Sequence, residues 1–134
     1  MNEQNEDKNI DFEIRFCESL LEKGGNFIEN LIALGDLYTK KGWHEKGLEI
    51  DKRLAQMRPE DPTILYNLAC SYSLVHAMDK AFSAMKLAID SGYDDLSYLE
   101  HDRDLANLLK EERFQNFLSE LKDKRSVKKP YEKR

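Results

Sequence analysis

The chain has 134 residues, 40% of them apolar and 35% charged, which suits one surface-rich domain with a real core. Its net charge of −5 is unevenly spread: Lys122 to Arg134 holds seven basic and two acidic residues, so +5, and Met1 to Leu121 holds 14 basic and 24 acidic, so −10. Such an acidic body excludes specific nucleic-acid binding by the core, which needs concentrated Lys and Arg, and no stretch approaches the ~18 consecutive apolar residues of a membrane span.

The first ten residues are polar and acidic, unlike a signal peptide, and are expected to be disordered. A first helix is predicted from about Asp11 to Lys23. Phe12, Phe16, Leu20 and Ile14, Cys17, Leu21 give it a broad apolar side at helical spacing, and Gly24-Gly25 stops it. Asn26 reads as the N-cap of the next helix, with Glu29 in capping-box position. That helix carries Leu31, Leu34 and Tyr38 and ends at Gly42. A third runs from about Trp43 to Met57, before Pro59. Asp61-Pro62 reads as an N-cap followed by proline in the first turn of a fourth, which carries Leu65, Leu68, Ala69 and Tyr72. A fifth runs from about Met78 to Asp90 with Ala81, Met85, Ala88 and Ile89 inward, and Gly92 closes it. Asp94 or Asp95 caps a short turn through Tyr98 and Leu99. A last helix, about Glu111 to Lys124, places Phe114, Phe117, Leu118 and Leu121 on one side. The basic tail, 122–134, is expected to be mobile.

Leu34-Gly35-Asp36-Leu37-Tyr38 aligns with Leu68-Ala69-Cys70-Ser71-Tyr72 at an offset of 34 residues, and Leu31 aligns with Leu65. In a helix–turn–helix setting this resembles the tetratricopeptide repeat (TPR) family. Leu34, Gly35, Tyr38 and Pro59 fit its pattern in a repeat spanning 28–61, and Leu68, Tyr72, Ala81 and Ala88 fit in one spanning 62–95. Gly47, Asp51 and Leu54 depart from it, as does Tyr93 in place of the family's proline. The stretch from Asp102 to Phe114 is similar to the closing segment of such arrays. The resemblance covers 11–121 and implies an all-α fold: an α-solenoid of antiparallel helix hairpins wound as a right-handed superhelix, with 96–121 as a C-terminal cap.

No catalytic constellation is evident. His44, His76 and His101 lie apart in sequence, and there is no glycine-rich phosphate loop. Asp102 and Asp104 lack the further acids of a calcium loop, so capping and solvation account for them. Cys17 and Cys70 have no metal-type spacing. They are expected to be free thiols in a cytoplasmic protein without metal or cofactor. Trp43 is expected to pack into a hairpin corner.

The resemblance implies that a partner lies along the concave face made by the first helix of each hairpin. Carried onto this sequence, the partner-binding residues are Ile32, Asp36 and Lys40 from the first repeat, and Tyr66, Asn67, Cys70 and Leu74 from the second. Tyr98 would complete one wall. Glu29, Thr39, Thr63, Ser73 and His101 fall on the same positions or flank them. Aromatic anchors among polar groups suit an interface core. One use of the family, a clamp for a C-terminal carboxylate, needs basic residues on this face; of its pattern only Asn67 is present, and Asp36 would repel the ligand. The expected function is therefore a non-catalytic adaptor that binds a peptide or partner protein. The alternative is a self-associating subunit, a homo-oligomer formed through end helices or the basic tail. An enzyme is the third and remotest class.

Overall fold

The computed structural model describes residues 3–24 and 27–132, and the side chains of 4–24 and 27–126. Every regular element among them is helical. In chain order they are α1 (Glu3–Glu22), α2 (Ile28–Lys40), α3 (His44–Met57), α4 (Pro62–Leu74), α5 (Met78–Asp90), α6 (Leu96–His101), a 3₁₀ turn (Arg103–Leu105), α7 (Ala106–Leu109) and α8 (Glu112–Glu132). Each long helix from α1 to α5 packs chiefly on its sequence neighbours, and the 3₁₀ turn and α7 lie against α4.

The boundaries follow local chemistry. The Asp61 carboxylate accepts the N–H groups of Thr63 (2.9 Å) and Ile64 (3.2 Å), with Pro62 at the first helical position. Asp95 caps α6 through the Tyr98 N–H (3.1 Å). The expected cap at Asn26 lies outside the described residues. Helices α2, α4 and α5 close alike. The Trp43 N–H bonds back to Tyr38, that of Ala77 to Tyr72 and that of Tyr93 to Ala88, over a left-handed residue at Gly42, His76 or Gly92. Only His76 carries a Cβ there, at φ 63°.

The period seen in the sequence reappears in the helix starts. Helices α2, α4 and α6 begin at residues 28, 62 and 96, and α3, α5 and α8 at 44, 78 and 112. Both series step by 34, so the period runs on into the segment after 95. There it is broken. Asp102 occupies the position that Leu34 and Leu68 hold in α2 and α4, where the leucines are core residues. A carboxylate cannot take that place in a helix packed against apolar neighbours. The chain is extended at Asp102 (φ −78°, ψ 119°), its carboxylate caps the following turn at Asp104, and Leu105 and Leu108 are buried instead.

Small residues let helices meet. A Cβ at Gly35 would lie 3.2 Å from Asp51 Oδ1 and Ile50 Cγ2, and one at Gly47 3.2 Å from Thr39 Oγ1. Between α4 and α5 the fully buried Ala69, Ala81 and Ala88 serve the same end, with Met85 beside them. The core continues through Leu99, Leu105 and Leu108 to Phe114 and Leu118 of α8.

Two ends differ from the sequence expectation. Helix α1 begins at Glu3 rather than near Asp11, so the described part of 1–10 is helical. Its Glu, Gln and Lys are good helix formers, and Asp7 and Asp11 both pair with Lys41 (3.2 and 2.9 Å). Likewise α8 continues to Glu132, through most of the tail expected to be mobile. Lys122 pairs with Glu100, and Arg125 donates to the Asp94 carbonyl (3.1 Å). The broad apolar side of α1 also divides. Ile14 and Cys17 are buried against α2, whereas Phe12 and Phe16 are 63% and 57% exposed.

Ser73, which the TPR resemblance places on or beside the concave face, instead joins α4 to α7. Its hydroxyl accepts the Leu108 N–H (3.1 Å), and its carbonyl accepts from Asn107 Nδ2 (3.0 Å). Ser73 is fully buried. Ser73→Ala strands the Leu108 N–H and is expected to cost about 1–3 kcal/mol in urea unfolding. A loss within error would mean that another group satisfies that donor.

Candidate functional site

A cavity of about 280 Å³ opens where α2, α3 and α4 meet the turn after α6. It gathers seven of the eight residues assigned from sequence: Ile32, Asp36, Tyr66, Asn67, Cys70, Leu74 and Tyr98. Asp36, Cys70 and Asp104, one period apart from each other, all line it. Lys40 is outside the lining; it pairs with Asp36 one turn away (3.3 Å), and both side chains are largely exposed.

The seven divide by burial. Tyr98 and Ile32 are 60% and 41% exposed and form an accessible apolar rim. Tyr66 is buried. Its ring stacks on Tyr93 (4.4 Å between centroids) and leans on Tyr98 (6.2 Å), and its hydroxyl donates to Asp102 Oδ2 (2.6 Å). Tyr66 therefore belongs to the frame of the cavity. Cys70 is buried too, its Sγ 3.8 Å from the same Asp102 oxygen. Burial, reinforced by Asp102, Asp104 and Asp51, pushes its thiol far above the ordinary range. Cys70 thus stays protonated and is a poor nucleophile.

Residues outside that set decide the character of the cavity. Asp51, Asp102 and Asp104 line it together with Asp36. Asp51, on α3, is 8% exposed, and its Oδ2 accepts the Ser71 hydroxyl. Burial pushes its carboxyl up to about 6; the Ser71 bond opposes this and the Asp36 charge adds to it. Asp104 is raised as well, first by burial, then by Asp102, with His44 acting in the opposite direction. One signal for Asp51 was legible beforehand, an acid where the TPR pattern has an aromatic residue. Asp102 is a cap, as expected, and also a wall of the cavity. A partner's carboxylate would meet four acids here, which is the wrong sign of charge for a carboxylate clamp.

A second depression, about 630 Å³, is lined by Trp43, His44, Leu74, Val75 and His76. It brings together two histidines that are distant in sequence, and His44 Nδ1 is buried without a hydrogen-bond partner. Trp43 is half-exposed, tilted against the Tyr38 ring (5.9 Å) with Lys46 5.1 Å from both rings. Among the described residues no three His, Cys, Asp or Glu side chains are grouped to hold a metal, and no helix is long and apolar enough to cross a membrane.

No family model and no solved structure matches the chain. Part of the chain is similar to a chloroplastic protein of Arabidopsis thaliana, with 31% identity over 86 residues. The match covers 62% of this chain and 26% of that protein.

Proposed function

We propose that this chain is a non-catalytic protein-interaction module of TPR type, holding a peptide or a segment of a partner protein along the face that carries the cavity. In this reading α2–α3 and α4–α5 are antiparallel hairpins of a short right-handed solenoid. Helix α1 covers one end, and the broken third unit, α6 to α8, covers the other. The shared 34-residue step of the helix starts supports it, because a repeat array needs equivalent units stacked with end caps. The observation that carries the function is the exposed rim of Tyr98 and Ile32 beside Asn67 and the cavity acids: an apolar anchor surface with polar groups to orient a chain. Two buried free cysteines, Cys17 and Cys70, suit a reducing compartment such as the cytoplasm.

The test is a pull-down from native lysate with the wild type and an Asn67→Ala/Tyr98→Ala variant. Both substitutions avoid the buried Tyr66. A partner retained by the wild type and lost by the folded variant supports the groove. A partner retained equally by both places binding elsewhere and overturns this reading.

A second reading, self-association, is favoured by one observation: Phe12 and Phe16 lie one turn apart on α1 and are largely exposed. A light-scattering mass that rises with concentration, and falls to the monomer in Phe12→Ser/Phe16→Ser, is the expected result if that face pairs.

A further inference from the structure

We infer that the concave cavity is a receptor for the side chain of an arginine presented by the partner. The inference rests on the groove reading above and names what the groove selects.

The cavity holds more negative than positive charge. Asp51 is buried on its floor, and no ion pair among the described residues includes Asp51, Asp102 or Asp104. Asp36 has a cation, Lys40, in an exposed pair that solvent screens, and His44 acts on Asp104 without forming an ion pair with it. Burying a carboxylate without a counter-charge is costly. The fold accommodates this one because Gly35 leaves room beside Oδ1 and Ser71 supplies a donor. An entering cation would meet an acceptor already stripped of water, held in place and short of positive charge.

The shape of the entrance selects among cations. Ile32, Leu74 and the exposed Tyr98 ring line the cavity beside the acids. An arginine side chain has an apolar stem for such a rim and a flat guanidinium for the aromatic ring, and its five donors match several carboxylate oxygens at once. The acids come from α2, α3 and the turn after α6, so they surround the cavity and do not form one solvated helix face.

The experiment titrates the full chain, isotopically labelled at backbone amides and Asp carboxyl carbons, with N-acetyl-arginine amide. Its neutral isostere N-acetyl-citrulline amide, N-acetyl-glutamate amide and Mg²⁺ serve as controls. Expected are saturable NMR shifts at Gly35, Asp51, Ser71 and Asp102 with the arginine probe. Citrulline should bind about tenfold more weakly or worse, and Asp51→Asn should weaken arginine binding by a similar factor. Asp36→Asn, at an exposed position, provides a second and smaller loss should Asp51→Asn perturb the fold. Equal binding of citrulline, equal saturation by Mg²⁺, or shifts spread over the whole acidic surface would overturn the inference. So would concentration-dependent shifts at the same residues without any probe, which would make the occupant a second copy. A groove-dependent partner whose bound segment lacks arginine would refute the inference and leave the groove reading standing. Saturable arginine binding with no groove-dependent partner would do the reverse.

Discussion

Replacing Phe114 by alanine is expected to lower the unfolding free energy by about 3–5 kcal/mol, because a fully buried ring is lost and the cavity left behind cannot close. The ring meets Phe82 edge-on at 5.3 Å and Phe117 at 6.0 Å, inside the cluster that also holds Leu105, Leu108 and Leu118. With Leu118 it thus joins α8 to the core built by α4 and α5, and it is the more deeply buried of the two. Urea unfolding at constant slope should show the full loss, with a drop in Tm of about 10 °C or more for a chain of this size. Phe117→Ala should cost clearly less, since its ring is only partly buried. Equal and small effects at both positions would mean that α8 is an appendage rather than the closing element of the core.

Asp51→Asn is expected to stabilise the protein at neutral pH, and the sign follows from its proton affinity. Its carboxyl is raised from 3.8 to about 6, chiefly by burial, so the folded state holds this proton more tightly than the unfolded chain does. The corresponding stability is complete below about pH 4 and is lost as pH rises through about 6. The difference corresponds to about 3 kcal/mol. The amide keeps an oxygen for the Ser71 hydroxyl and removes the buried charge. Urea midpoints of wild type and variant should therefore coincide near pH 4 and separate in favour of the variant by pH 8. Asp104, also raised, contributes in the same direction in both proteins and cancels in the comparison. Parallel pH curves would show that Asp51 is not a strained carboxylate. Greater stability combined with lost arginine binding would show that the buried charge is kept for recognition.

Much of the helical layout is legible from residues a few positions apart. Asp61-Pro62, Gly42 and Gly92 act on backbone groups within one turn, so the start of α4 and the ends of α2 and α5 follow from the residues themselves. Alternation of side chains at three and four residues marks the buried face of α5 and α8 in the same way. Helix α1 was less legible, because apolar residues cover most of its circumference. Only packing against α2 separates the buried pair Ile14 and Cys17 from the exposed Phe12 and Phe16.

Helix type, most helix ends and the 34-residue step could be read from the residues in order, since these rest on local hydrogen bonds and on side-chain periodicity. The resemblance to the TPR family also implied one surface for Ile32, Asp36, Tyr66, Asn67, Cys70, Leu74 and Tyr98. What kind of surface that is emerges only from packing. Asp36, Asp51 and Asp104 stand on three separate elements, and each taken singly is an ordinary acid. Asp51 becomes buried because α2 and α3 approach closely at Gly35. Asp102 turns into the cavity because the third unit cannot bury a carboxylate where its predecessors bury leucine. Charge held out of water depends on which neighbours exclude the water, and those neighbours are brought together only by the folded chain.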